Sequence, residues 1–184
     1  MRYVGQAGRV TVHLIYETHS TTVDNERGVA TGWLPGELSE EGRRLALDLG
    51  ERRSDVDVIF SSDLRRAVET VEVAFAGRDI PRLEDRRLRE CDYGELNGAP
   101  VDSLAPRRQY VDRPFPGGQS YRDVLEQTRE FLAEVRSQYD GRKVLVVAHS
   151  ANRWALKHLL DGGSRLDNLV DAPFEWQPGW EYEL

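Results

Sequence analysis

The chain has 184 residues, 31% of them charged and 39% hydrophobic, and a formal net charge of −7. That length and balance predict one soluble globular domain over residues 1–184, and the acidic excess argues against a general nucleic-acid binder. No apolar run approaches the ~20 residues of a membrane span, and the single cysteine, Cys91, allows no intrachain disulfide, which fits a cytoplasmic location. With this net charge, an anionic substrate has to be held by a local basic pocket and not by the overall field.

Residues 1–8 lack the apolar core of a signal peptide and read as a loose arm. A first strand is predicted from Val10, where Val12 and Leu14 alternate with Thr11, His13 and Ile15. It ends in small polar residues, Thr18, Ser20, Thr21 and Thr22, around His19. An imidazole at the carboxyl end of a buried strand lies where open α/β sheets bind ligands. Taken alone, it reads first as a hydrogen-bonded loop residue, and only the groups around it change that. Asp24–Leu38, rich in polar residues and glycine, reads as an ordered loop over a site.

Ser39 then caps a helix with Glu40 and Glu41 in its first turn and an apolar stripe of Leu45, Ala46 and Leu49. Val56–Phe60 has the length of a buried strand, and Ser61-Ser62-Asp63 offers caps for the next helix. Leu64, Ala67, Val68, Val71 and Phe75 form the buried face of that helix, which Gly77 ends. Arg65 and Arg66 fall in its first turn, where a cation opposes the helix dipole, so an arginine there serves a ligand or a carboxylate. A brief third strand is predicted near Ile80–Leu83. Residues 99–119 are irregular and close in PFPGGQS.

Ser120 and Asp123 form a capping box for a long helix, and Lys143–Ala148, KVLVVA, is the clearest buried parallel strand. His149 follows at once. The next helix carries Trp154, Ala155, Leu156, Leu159 and Leu160 and stops at Gly162-Gly163; the aromatic tail with Trp176, Trp180 and Tyr182 packs on the body. Strands alternating with helices predict a three-layer α/β/α fold with a mostly parallel sheet.

Two histidines thus follow predicted strands in matching contexts, THS and AHS, with Arg66 after the strand between them and Glu90 in a loop expected at the same edge. Two imidazoles, a guanidinium and a carboxyl group suit phosphoryl transfer to histidine. A neutral His19 attacks phosphorus, Arg66 and a protonated His149 offset charge on the phosphoryl oxygens, and Glu90 protonates the leaving oxygen and later takes a proton from water.

On these residues the chain resembles the histidine phosphatase superfamily, the phosphoglycerate mutase-like family. The first motif, Arg-His-Gly-Glu-Ser/Thr, corresponds to Thr18, His19, Ser20, Thr21 and Thr22, followed by Asn25 and Gly32-Trp33. The second corresponds to Ser62, Leu64, Arg66, Ala67 and Thr70 and selects Arg66 over Arg65. The third corresponds to Leu88, Glu90, Tyr93, Gly94 and Gly98, and the fourth to Ala148, His149 and Ser150. The resemblance runs from about Val10 to Leu160. It implies a phosphoglycerate mutase-like fold and a cofactor-independent phosphatase that works on a small phosphomonoester through a phosphohistidine on His19. The catalytic set is His19, Glu90, His149 and Arg66. Thr18, Ser20, Thr22, Asn25, Arg27, Thr31, Gly32, Ser150 and Arg153 are the expected substrate-binding residues, and no metal is expected. Family mutases carry a large insertion between the acid and the second histidine, which this chain lacks, so hydrolysis is expected over mutase action.

The departure is at Thr18, where the family places an arginine that grips the phosphoryl group and keeps the neighbouring imidazole deprotonated. Losing one positioned donor costs ~10²–10³ in rate in comparable sites. Arg27 in the covering loop and Arg153 one turn past His149 are the candidate replacements; the alternatives are a solvated loop cation and a salt-bridged helix residue. Arg107 and Arg108 lie in the irregular segment, in reach of a second anionic group if they are not solvated. Glu17 pairs with His19 or stays at the surface. Cys91 is a weak nucleophile candidate, His13 and His158 lack metal-ligand spacing with the other histidines, and Trp33 and Tyr93 either line a pocket or pack. An anion-binding relative with little catalysis, or a related His–Glu–His enzyme with a changed, less charged substrate, are the competing readings. The expected partner is a small phosphorylated or anionic substrate, without nucleic acid or membrane; self-association is left open.

Overall fold

The computed structural model describes residues 11–184. The loose arm and Val10 lie outside them. The elements run β1 (His13–Thr18), α1 (Val23–Glu26), α2 (Glu40–Arg52), β2 (Val58–Ser61), α3 (Arg65–Ala74), β3 (Arg82–Glu84), α4 (Tyr121–Gln138), β4 (Lys143–Ala148), α5 (Ser150–Leu160), α6 (Leu166–Asp171) and β5 (Trp180–Glu183). Short 3-10 turns at Arg86–Leu88, Gly94–Leu96, Val101–Leu104 and Arg107–Tyr110 fill the stretch between β3 and α4. Among the described residues no helix is long and apolar enough to cross a membrane.

The five strands form one sheet in the order β3-β2-β4-β1-β5, parallel except for β5, which is antiparallel to β1. Leu14, Tyr16, Phe60, Val144 and Val146 face α4 and α5 through Phe131, Leu132, Val135 and Leu156. Ile15, Ile59, Leu145 and Val147 face α2 and α3 through Leu49, Val71, Ala74 and Phe75. Helices therefore cover both faces, which makes the α/β architecture. It also replaces the alternation expected for the first strand: Leu14, Ile15, Tyr16 and Glu17 are all buried, because a parallel strand under two helix layers has no wet face.

The register sets the site. Thr18 pairs with Ala148 and Ser61 with Val147, so β1, β4 and β2 end at one level of one sheet edge. His19, His149 and Ser62 are the next residues out. A further apolar cluster, including Tyr93, Leu104, Phe115, Tyr121, Trp154 and Val170, fastens the irregular segment over this edge.

The caps behave as expected at Ser39 and at the Ser120–Asp123 box. At α3 they do not. Its N-cap is Leu64, without a side-chain cap; Ser62 is turned to His149 and Asp63 to Arg89. Tertiary partners outcompete the local turn for both side chains.

Candidate active site

His19 leaves β1 with its N–H on the Ala148 carbonyl at 2.9 Å. Its Nδ1 donates to the Ser20 carbonyl at 2.8 Å, which puts the proton on Nδ1. Nε2 is then a lone pair, and Arg66 Nε donates to it at 3.3 Å. Burial, then the charge of Arg66, lower the His19 pKa to about 3, opposed by the Ser20 carbonyl. The imidazole is neutral without any arginine at position 18.

Arg66, 2% exposed, is fixed by two carbonyls of the covering loop: Nη2 donates to Gly32 at 2.8 Å and Nη1 to Leu34 at 3.2 Å. Gly32 has φ 52, and a Cβ there would fall 1.8 Å from Asn97 Oδ1, so the loop takes this path only with glycine. The misplaced charge in the first turn of α3 thus belongs to the site; Arg65, its neighbour, is exposed.

Glu90 is buried with three donors on its carboxyl group: Cys91 N at 2.8 Å and Ala151 N at 3.3 Å on Oε1, and Ser150 Oγ at 2.9 Å on Oε2. Ser150 therefore holds the carboxyl group. Trp33 Nε1 donates to the Glu90 carbonyl at 2.7 Å, and Arg89 stacks on its ring at 4.7 Å, so Trp33 clamps the acid loop and lines neither compartment.

His149 is fully buried, its ring centroid 5.1 Å from that of His19. Ser62 Oγ lies 2.6 Å from Nε2 and accepts from Leu64 N at 3.4 Å. Nε2 shares this short hydrogen bond with the serine hydroxyl, and Nδ1 is a buried atom without a partner among the described residues. Burial, Arg66 and His19 push its pKa well below the ordinary histidine value. The imidazolium expected from the sequence is therefore corrected: burial, the Arg66 guanidinium and the neighbouring His19 ring all favour the neutral form.

Two compartments with a shared border open here. A polar one of about 120 Å³ is lined by His19, Thr31, Gly32, Arg66, Glu90, Tyr93 and Arg107, among others. A larger one of about 590 Å³ is lined by Thr18, His19, Ser20, Leu45, Trp154 and Phe174, among others. His19, Asn25, Val101, Arg107, Ser150 and Trp154 border both.

The remaining expected binding residues divide. Thr18 and Ser20 line the large compartment and Asn25 lines both, while Thr31 lines the polar one with its hydroxyl given to Asp24 at 2.9 Å. Thr22 does not reach either; wholly buried, it caps α1 in a reciprocal pair with Asn25. Arg27 is exposed and Arg153 stacks at 4.5 Å on Trp180, so neither enters the compartments and neither replaces the missing arginine. Arg107 is the cation that borders both compartments, and it forms no ion pair with any described residue. Arg108 is taken up by Asp171. Glu17 pairs neither with His19 nor with solvent: buried, it holds Arg52 at 3.0 Å and Arg53 at 2.9 Å. Cys91 is buried and its thiol pKa is pushed up, chiefly by desolvation, which leaves it unreactive. Sequence reasoning missed Ser62 as the partner of His149 and the tail as a chamber wall. The second strand-end serine was a visible signal for the first; nothing marked the second.

Residues 18–170 match the family described as the histidine phosphatase superfamily, branch 1. The chain belongs to the histidine phosphatase superfamily. It is 33% identical over 128 residues to the "Uncharacterized phosphatase PhoE" of Bacillus subtilis, covering 68% of this chain and 65% of that one. It is 32% identical over 170 residues to a 2,3-bisphosphoglycerate-dependent phosphoglycerate mutase of a Methylobacterium species, covering 81% and 80%. The structure of Bacillus stearothermophilus YhfR superposes with a TM-score of 0.79 at 28% identity, covering 91% of this chain and 88% of that one. These histidine phosphatases include named phosphatases and named mutases, so superfamily membership carries phosphoryl chemistry and leaves the substrate open.

Proposed function

We propose that this histidine phosphatase hydrolyses a phosphomonoester through a phosphohistidine on His19. The observation that carries the reading is the neutral His19 ring with its Nε2 lone pair facing Arg66 in the compartment that Glu90 also lines. In the first step Nε2 attacks phosphorus and the P–O ester bond breaks; Glu90, in its acid form, gives its proton to the departing alcohol oxygen. In the second step the Glu90 carboxylate takes a proton from water, the water oxygen bonds phosphorus, the P–N bond breaks, and inorganic phosphate leaves. Arg66 holds phosphoryl oxygens in a volume where each donor counts for more than in water, and His149, which borders neither compartment, supports the same group through its ring 5.1 Å from that of His19. Arg107 supplies the second cation that Thr18 does not.

Hydrolysis is favoured over mutase action by the short segment between Glu90 and His149, which leaves the phosphoenzyme open to water. The reading is tested by incubating the protein with p-nitrophenyl phosphate and a panel of phosphorylated metabolites, with acid-labile, base-stable phosphoprotein as the readout. Turnover and label that both disappear in His19→Ala support it. Saturable phosphate binding without turnover supports the competing reading, an anion-binding relative, for which Thr18 is the specific observation.

A further inference from the structure

The compartment beside the phosphoryl site is far larger than a phosphoryl group needs, about 590 Å³, within the range of pockets that bind small organic molecules. Leu45 and Leu49 of α2, Val101, Trp154 of α5, and Phe174 and Trp176 after α6 give it an apolar wall, and Thr18, Ser20, Thr21 and Asn25, next to His19 in the chain, give it a polar one. The charged groups on it are mostly taken: Arg52 by Glu17, and Asp171 by Arg108. Arg107 stands at the border with the polar compartment. Phe174 and Trp176 are 40% and 56% exposed, large apolar surface left in water at this chamber. Thr18 ends β1 in the same wall, so at the position where the family motif has a guanidinium this chain presents a short neutral side chain to the chamber.

We infer that the chamber takes the alcohol portion of the substrate and that this alcohol is apolar: an alkyl or aromatic phosphomonoester, not a sugar, amino-acid or hydroxy-acid phosphate. The inference rests on the phosphatase reading for the direction of binding, phosphoryl group at His19 and alcohol outward. The physical argument is one of pairing. A polyhydroxylated or zwitterionic leaving group would be stripped of water against leucine, phenylalanine and tryptophan, where the polar groups left to meet it are those of the His19 strand end, Ser150 and Arg107. An apolar one gains ~0.8 kcal/mol for each methylene it buries, about fourfold in affinity.

The test uses non-hydrolysable alkylphosphonates, from methyl to octyl, titrated into the full chain by calorimetry. Affinity is expected to rise about fourfold per methylene over the first several carbons, with a heat capacity change that becomes more negative along the series. Affinity that is flat or falls with chain length overturns the inference. Phe174→Ala and Trp176→Ala, both at exposed positions, are expected to cut the ratio of octyl to methyl affinity about tenfold; an unchanged ratio also overturns it. The slope is separable from the chemistry. A slope without turnover of the matching esters leaves the chamber and removes the hydrolase reading; turnover with no slope does the reverse.

Discussion

His19 and His149 occupy the same place on adjacent strands, in register, each followed by serine, yet they differ in exposure and in the partners of their ring nitrogens. His19 presents Nε2 to the compartments; His149 is fully buried with Nε2 on Ser62. The difference comes from their neighbours in the sheet. β4 lies between β2 and β1, so its end is walled by Ser61 and Ser62 on one side and Thr18 on the other. β1 has β5 on its outer side, and that pairing stops at Tyr16–Trp180, two residues short of Thr18. Beyond it the sheet edge is unpaired, and the chamber opens there. The same His-Ser pair is left partly open where a strand runs past its neighbour and is fully buried where it does not.

The contrast breaks most sharply on removal of each ring. His19→Ala is expected to lower kcat by about 10⁴-fold or more, because the covalent route is lost. His149→Ala is expected to cost about 10²–10³, the value of one positioned donor. Steady-state kinetics on one ester checks both, and equal losses would mean the two rings do not have different roles.

Glu90→Gln is expected to cost about 10²–10⁴ in kcat for alkyl esters and much less for p-nitrophenyl phosphate, whose leaving oxygen needs no proton. A loss independent of the leaving group would remove Glu90 as the acid. Arg107→Gln is expected to cost about 10²–10³, and adding Thr18→Arg in that background should recover part of it if the two positions serve the same oxyanion.

The pH behaviour separates the rings from ordinary surface histidines. His19, at about 3, and His149, also lowered, release protons more easily when folded than when unfolded. Between the unfolded histidine value of ~6.5 and the folded value, the unfolded chain holds more protons. Stability is therefore full above ~6.5 and falls as pH drops through that window. NMR should find the His19 ring neutral at pH 5, and Arg66→Gln should move its titration upward, since the guanidinium is one of the forces holding it down. The smallest effect is expected for Ser62→Ala, about 3–10-fold in kcat for one lost hydrogen bond, with the His149 ring nitrogen shifts reporting loss of the fixed tautomer.

Much of the site was legible because strand ends and helix starts have chemical signatures. A cation in a first helical turn is out of place unless something holds it, and Arg66 is held by two loop carbonyls and His19. The capping box at Ser120 and the apolar run of β4 read directly, since both depend on neighbours in the chain. Arg27, Arg153 and Arg107 were not separable that way. Each is an arginine near the right segment, and which one faces the compartments depends on how a loop and a helix pack.

The sequence alone determined the alternation of strands and helices and the identity of the groups that meet at one sheet edge, because those follow from local periodicity, caps and residue chemistry. Only the tertiary structure decided the lowered pKa of the two imidazoles, the partner of Ser62, the cation that borders both compartments and the chamber with its apolar wall. Each of these depends on burial and on residues distant in the chain, and none is encoded in any single stretch.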